Sequence, residues 1–592
     1  MFDCKWVQYT KRADFDAIAE KYNIDKVLAR IIRNRDITED NDIDMFLNGT
    51  MDCLHDGMLM KDMGKAADIL KDKIDQKKSI RIIGDYDVDG ICATYILLKG
   101  IRTLGGVADT VIPHRILDGY GLNENLILSA HEDQIDTILT CDNGIAAKDQ
   151  IKLAKDYGMT VIVTDHHEVP YNETEGIRSY ILPEADCVVD PKQEDCAYPY
   201  KKICGAFIAF KLISILLDGK YPEVIEELIP FAALATNCDV MDLLDENRII
   251  VKEGLRLMEE PINPGLKALK IALGLGDKKI TAYHLGFVIG PTINATGRLD
   301  TAKRALELFS TEDFKEACTI AVELKDLNES RKKITEDGAA KAVEIVESSD
   351  IINDRVIVVY LPDCHESVAG IIAGRIKERY FKPTIILTNA EEGVKGSGRS
   401  IEAYNMFEEL SKVKDLFTKF GGHPMAAGLS LAKAEDIDSL RRRLNENCTL
   451  SKEDMAKKLM IDVAMPLSYA SMSLIESFEL LEPCGVANPH PMFATKRVSL
   501  LEYTKRGKSR VIGKLRIADE YGKTYDCVYF DDLDEFEAFI EDTFGKEKLE
   551  KLMNGRCTLH ELEIMMAYQP DINEYNGRRS VQIVMKYYGR MV

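Results

Sequence analysis

The segment Arg81-Ile82-Ile83-Gly84-Asp85-Tyr86-Asp87-Val88-Asp89-Gly90 combines an apolar run, alternating aspartates and a glycine. A short apolar run, Ile80 to Ile83, leads into three alternating aspartates, and Gly90 opens the helical pattern Ile91-Cys92-Ala93-Thr94-Tyr95-Ile96-Leu97-Leu98. The order is strand, carboxylate-rich turn, helix. Crowded carboxylates repel one another, so such a turn commonly holds a divalent cation that offsets the repulsion. The same D-x-D-x-D-G string opens EF-hand loops, which need a preceding helix and a bidentate Glu at the twelfth position. Counting from Asp85, that position is Ile96, so an EF-hand is excluded. The plain alternative is an acidic turn that caps the helix by accepting from its backbone N–H groups.

Working outward, the pattern recurs. Asp136 to Ile145 reads as a strand ending in Asp142-Asn143-Gly144, and Met159 to Glu168 as one ending in Asp165-His166-His167. An interrupted apolar run, Tyr180 to Val189, closes on Asp190-Pro191. Strands alternating with helical segments imply a parallel sheet, whose ligands bind at the carboxyl ends of the strands. Asp87, Asp89, Asp142 and His166 then share one edge. Mixed oxygen and nitrogen ligands suit Mn²⁺ or a similar ion better than Ca²⁺, and bridging carboxylates suit a pair of ions. Asp239, following the buried run Phe231 to Thr236, is the candidate for the last ligand. Arg115, after Thr110 to His114, lies in a turn that could face an anion or simply water, and Ile289 to Arg298 reads as a rigid loop carrying Arg298.

At 592 residues the chain exceeds what one core usually serves, so three or four domains are expected. A net charge of −22 argues against coating nucleic acid by overall electrostatics, though it leaves room for a narrow basic channel. The fourteen cysteines are scattered without a CxxC pair, so reduced thiols are expected. No run approaches a membrane span and the N-terminus lacks a signal-peptide pattern, which points to the cytoplasm. Residues 301–349 read as a charged helical connector, with helical stretches Ala317 to Asn328 and Ile334 to Val346. A second α/β unit, 350–450, carries the Gly-rich loops Lys395-Gly396-Ser397-Gly398-Arg399-Ser400 and Gly421-Gly422-His423-Pro424. Glycines let backbone N–H groups approach a phosphate, and Ser397 and Arg399 can donate from side chains; such strings are also ordinary turns. Residues 451–592 read as short strands interrupted by an acidic helical insertion, with an Asn576-Gly577 hairpin signature. A small OB-like barrel is expected, with Tyr503, Arg506, Arg510 and Tyr529 as candidate contacts to single-stranded nucleic acid.

Taken together, Asp85-Tyr86-Asp87-Val88-Asp89-Gly90, Asp142-Asn143-Gly144, Asp165-His166-His167 and Asp239 resemble the DHH phosphoesterases, and the Gly-Ser-Gly-Arg-Ser and Gly-Gly-His loops resemble their DHHA1 domain. Within that superfamily the chain is most similar to the RecJ family of single-strand-specific 5′→3′ exonucleases, through Pro113-His114-Arg115, Ile293 to Arg298, Leu327 to Arg331 and Leu481 to Gly485. The resemblance implies an α/β fold: a parallel-sheet DHH domain with a helical N-terminal segment over 1–300, the connector over 301–349, a smaller α/β DHHA1 domain over 350–450 and the OB-like barrel over 451–592. It implies two Mn²⁺ or Mg²⁺ ions on Asp87, Asp89, Asp142, His166 and Asp239, with Asp142, His166 and His167 catalytic and Asp85 a substitute ligand. Arg115, Arg298, Ser397 and Arg399, with Gly421, Gly422 and His423, would face the phosphate and DNA. The implied partners are single-stranded DNA and a single-strand-binding protein or helicase, the implied state a monomer, and the implied setting DNA repair and recombination. One departure stands out: the family carries His where this chain has Ile83, which removes a nitrogen ligand from the second metal position. Two other readings remain open on the sequence. A DHH phosphodiesterase of short oligonucleotides or cyclic dinucleotides would share the first two domains, and a catalytically weakened RecJ-like scaffold would keep the fold alone.

Overall fold

Alternate residues of the run Ile80–Ile83 face opposite sides of a sheet, and both sides are buried, which is why three of the four are isoleucine and why Arg81 is held by ion pairs to Asp109 and Asp133. The structure is a computed structural model that describes residues 4–114, 121–174, 177–299, 301–390, 393–507 and 512–591. Its contacts divide the chain into two units, Thr50–Met455 and Met1–Gly49 together with Ala456–Val592.

In the larger unit, β1 (Ser79–Ile83), β2 (Val107–Val111), β3 (Thr137–Cys141), β4 (Thr160–Thr164) and β5 (Cys187–Val189) form a parallel sheet in the order β2-β1-β3-β4-β5. Ile80, Ile82, Leu139 and Ile162 pack into one core layer with α1 (Val88–Thr103) and α2 (Gly205–Leu217). Ile83, Ile138, Val163 and Val188 pack into a second with Ile127 and Ile151 from the helices on the other face. Because every strand runs the same way, the turns after β1, β3 and β4 emerge at one edge.

The buried run Phe231 to Thr236 belongs to α3 (Pro222–Cys238), so Asp239 reaches the edge from a helix C-terminus. Ile289 to Arg298, expected as a loop, belongs mostly to α4 (Gly290–Leu299). Pro291 comes just after one turn of π-helix, Leu285–Ile289, and the helix runs on through it. The connector is also more continuous than expected, a single helix α5 (Phe314–Glu347) of 34 residues, because Glu329 to Lys333 holds no breaker. Asn328, buried on α5, donates to Thr292 of α4 and accepts from Arg331.

The second sheet of this unit comprises β6 (Ile357–Tyr360), β7 (Thr384–Asn389), β8 (Val394–Arg399), β9 (Phe417–His423) and β10 (Ala426–Leu431), in the order β9-β10-β8-β7-β6. Only β6 and β7 pair in parallel. Helix α6 (Glu366–Tyr380) connects those two strands and packs on the sheet.

The other unit is a closed barrel. Strands β11 (Phe493–Arg506), β12 (Ile512–Ala518), β13 (Thr524–Tyr529), β14 (Glu563–Tyr575) and β15 (Arg578–Gly589) pair in the order β11-β12-β13-β15-β14, and β14 returns to β11. Asn576 and Gly577 both have positive φ in the β14–β15 turn, the conformation a two-residue hairpin demands. Tyr503 and Tyr529, expected as surface contacts, are buried instead, packed against Phe536 of the inserted helix Leu533–Phe544. Arg506 is exposed, and Arg510 lies outside the described residues. The N-terminal segment also departs from expectation, since residues up to 49 pack with the barrel unit rather than with the first sheet. Strand Lys5–Gln8 pairs with Lys458–Ile461. Arg35 meets Asp462 at 2.6 Å, with side chains only 2% and 3% exposed.

Candidate metal centre and phosphate-facing loops

The aspartate loop is shaped by close backbone approach. A Cβ on Gly90 would lie 2.4 Å from the Asp85 carbonyl oxygen, and one on Gly297 of α4 would lie 2.6 Å from that of Tyr86. Asp87 does cap α1, its Oδ1 accepting from Gly90 N at 3.1 Å, so the capping alternative holds for that residue without excluding a ligand role. Asp89 points elsewhere. Its oxygens accept from Gly205 N and Ala206 N, each at 2.7 Å, so the first amides of α2 fix a buried carboxylate at their positive end. Gly205 is needed there, since its Cβ would lie 2.8 Å from that of Asp142.

Asp142 turns out of β3 with φ 60, a left-handed conformation that Asp tolerates better than most residues. Neighbouring Asn143 holds the turn by donating to the Cys141 and Ile83 carbonyls. From β4, buried Asp165 accepts from the backbone of His166 and His167 and makes a 2.8 Å contact with His167 Nδ1. In the sequence Asp165 stands inside the Asp-His-His motif with no role of its own. Its signal is a carboxylate two residues before a histidine, which becomes meaningful only once the turn folds them together.

These turns converge. His166 Nε2 lies 3.1 Å from Asp142 Oδ1, 3.5 Å from Asp89 Oδ2 and 3.6 Å from Asp239 Oδ2. One imidazole N–H cannot serve three carboxylates. Ligand atoms fall into overlapping groups, each within 4.8 Å: Asp89 with His166 and Asp239, Asp142 with His166 and His167, and Asp85 with Asp87 and Asp142. Asp142 is thus common to two of them, and Asp85 joins the group that lacks a histidine. Ile83, where the resemblance expects His, is wholly buried in the apolar layer beneath.

The electrostatics are those of a site built for a cation. Burial, then the charge of Asp87, pushes Asp85 up to about 8, and burial, then Asp89, pushes Asp239 up to about 8. Asp87 and Asp142 are likewise raised, by burial first and Asp89 next. Burial lowers His166. Burial most strongly disfavours the charged form of His167, but the bond to Asp165 together with the charges of Asp165, Asp239 and Asp89 outweighs it and carries His167 up to about 9. Among the described residues, Asp85 Oδ1, Asp239 Oδ2 and His166 Nδ1 are buried without a hydrogen-bond partner. Buried polar atoms are rarely left so, and a divalent ion would satisfy both the orphaned oxygens and the mutual repulsion. The donor set therefore fits Mn²⁺ or Mg²⁺.

The residues expected to face phosphate divide into three placements. Arg298 Nη1 donates to the Ser367 carbonyl in the first turn of α6 at 2.6 Å. Arg399 Nη2 and Ser397 Oγ both lie 2.8 Å from where a Cβ on Gly370, one turn on, would stand. Ser397 and Gly421 line a cavity of ≈ 410 Å³ with Ser367, Lys395, Lys419 and Gly428. Gly421 pairs with Gly428, which pairs with Ser397, so the cavity floor is a row of small residues flanked by two lysines. Gly422 and His423 sit beyond it at the β9–β10 hairpin, in register with Ala427 and Ala426. Arg115 lies outside the described residues.

Comparison with known proteins gives a consistent result. Residues 79–236 match the DHH family N-terminal domain, 353–449 the DHHA1 domain and 461–587 the RecJ OB domain. The single-stranded-DNA-specific exonuclease RecJ of Bacillus subtilis is 34% identical over 98% of this chain and 70% of its own length. Its Salmonella typhimurium counterpart is 31% identical over 97% and 98%. A crystal structure of RecJ from Thermus thermophilus in complex with Mn²⁺ superposes with a TM-score of 0.79 at 25% identity, over 99% of this chain and 80% of that one.

Proposed function

Since the chain belongs to the RecJ family of single-stranded-DNA-specific exonucleases, we propose that it hydrolyses single-stranded DNA stepwise from the 5′ end at the carboxylate and histidine edge of its parallel sheet. The observation that carries this reading is the sharing of Asp142 between two groups of ligand atoms, the arrangement a bridged pair of ions requires. Asp87, Asp89, Asp142, His166 and Asp239 would hold Mn²⁺ or Mg²⁺, with Asp85 as the substitute ligand where the chain has Ile83. Such ions supply activation of water and polarisation of the phosphodiester.

The protein's own groups do the rest. Asp89, fixed by two amides of α2, and His166 keep the donor atoms in place before substrate arrives. His167, its ring held through Nδ1 by Asp165, is set to place a proton near the departing 3′-oxygen. Arg298, Ser397 and Arg399, gathered at the first turn of α6, receive the terminal 5′-phosphate, which selects an end rather than an internal bond. The exposed single strand such an end requires would come from a helicase or a single-strand-binding protein, with the enzyme acting as a monomer in DNA repair and recombination. A cytoplasmic setting agrees with the finding that no helix among the described residues is long and apolar enough to cross a membrane.

The test is digestion of 5′-phosphorylated single strands, blunt duplexes and dinucleotides with Mn²⁺ or Mg²⁺, by wild type and Asp142→Ala. Wild type should shorten single strands and spare duplexes, and the variant should be inactive. Cleavage of dinucleotides alone would return the chain to the short-oligonucleotide phosphodiesterases, and no cleavage would make it a scaffold.

A further inference from the structure

An unassigned feature adjoins the metal cluster. Tyr283 and Phe287 are 63% and 69% exposed, yet their rings stack on each other with centroids 5.0 Å apart and planes at 21°. Large aromatic rings gain strongly from burial, so an exposed stacked pair presents faces that a further flat ring could extend. Phe287 lies on one turn of π-helix, Leu285–Ile289, an irregularity found often at functional sites.

That turn is fastened to the end of α3. Asn237 Nδ2 donates to the Ala282 carbonyl at 3.1 Å, and Cys238 Sγ donates to the Leu285 carbonyl at 3.4 Å. A Cβ on Gly286 would lie 3.1 Å from Asn237 Nδ2, and one on Gly290 2.4 Å from Cys238 Sγ. The residue after Cys238 is Asp239, whose carboxylate faces His166. The next, Val240, is 64% exposed at φ 60, a conformation a β-branched residue adopts only under strain. Exposed Lys278 and Lys279, with Asp277 beside them, precede Tyr283 by five and four residues in the chain. Aromatic faces next to basic side chains are what unpaired bases and their phosphates bind.

We propose that Tyr283 and Phe287 form a stacking platform for the bases of the single strand next to the phosphodiester held at the metal cluster. The inference rests on the nuclease reading of that cluster. The occupant is an unpaired base rather than a protein side chain, because the platform is built on the same helix end that carries Asp239.

Binding of metal-free full-length protein to a 5′-phosphorylated oligothymidine and to an abasic strand of equal length, read by fluorescence anisotropy, tests it. Phe287→Ala and the Tyr283→Ala/Phe287→Ala double variant should bind the base-bearing strand about 5-fold or more weakly, with the abasic strand unaffected. Phe287→Trp, which keeps a ring, should retain the discrimination. Equal loss on both strands, or no loss on either, would overturn the platform while leaving the nuclease reading standing. Absence of any single-strand binding by wild type would overturn both.

Discussion

At the residue scale, Asp165 illustrates how the site depends on groups that do not meet the substrate. It holds both backbone amides of the histidine pair and His167 Nδ1, which fixes the ring. Asp165→Asn should lower kcat/KM and Mn²⁺ affinity by about 10- to 100-fold without unfolding the protein, as loss of supporting hydrogen bonds around a metal does. Titration of activity against Mn²⁺ checks this, and an unshifted curve would remove Asp165 from the site. Most of the cluster is legible in the sequence, because carboxylates placed just after apolar runs fall at the ends of parallel strands. The role of Asp165 is not, since it is a bond across a turn. Tyr503 and Tyr529 mislead for a related reason: composition marks an aromatic residue but not the face it occupies, and here that face lies beneath the inserted helix.

At the element scale, the first turn of α6 gathers groups from distant parts of the chain. Arg298 arrives on α4, and Ser397 and Arg399 on β8. Arg399→Ala should reduce the preference for a 5′-phosphate over a 5′-hydroxyl by roughly 10- to 100-fold, the worth of a charge-assisted hydrogen bond. Competition between strands differing only at that end measures it, and an unchanged ratio would place the terminal phosphate elsewhere. The Gly-rich loops announce this element, but α4 is hidden. A stretch with a proline and two glycines reads as loop until Pro291 is seen just after a π-helical turn and Gly290 and Gly297 are seen touching Cys238 and Tyr86. The continuity of α5 follows from ordinary helix formers, and its buried Asn328 ties it to α4.

At the scale of the whole molecule, the N-terminal segment belongs to a unit other than the one its position suggests, because sequence adjacency carries no information about packing. Its place with the barrel is fixed by strand Lys5–Gln8 and by the buried pair of Arg35 and Asp462, which Asn34 and the Met492 amide complete. Asp462→Ala would leave Arg35 buried without its counter-charge and should destabilise that unit by about 3–5 kcal/mol. The sole tryptophan, Trp6, lies in the strand concerned, so its fluorescence during urea unfolding reports this unit directly. An unmoved midpoint would contradict the packing.

If the convergent carboxylates and histidines hold the ions that do the chemistry, Mn²⁺ must sit among them. The most direct measurement is anomalous scattering at the manganese edge from crystals grown with Mn²⁺. Two peaks are expected to share Asp142, one also contacting Asp89, His166 and Asp239, the other Asp87 and Asp85. Active enzyme with no manganese among these residues would contradict it.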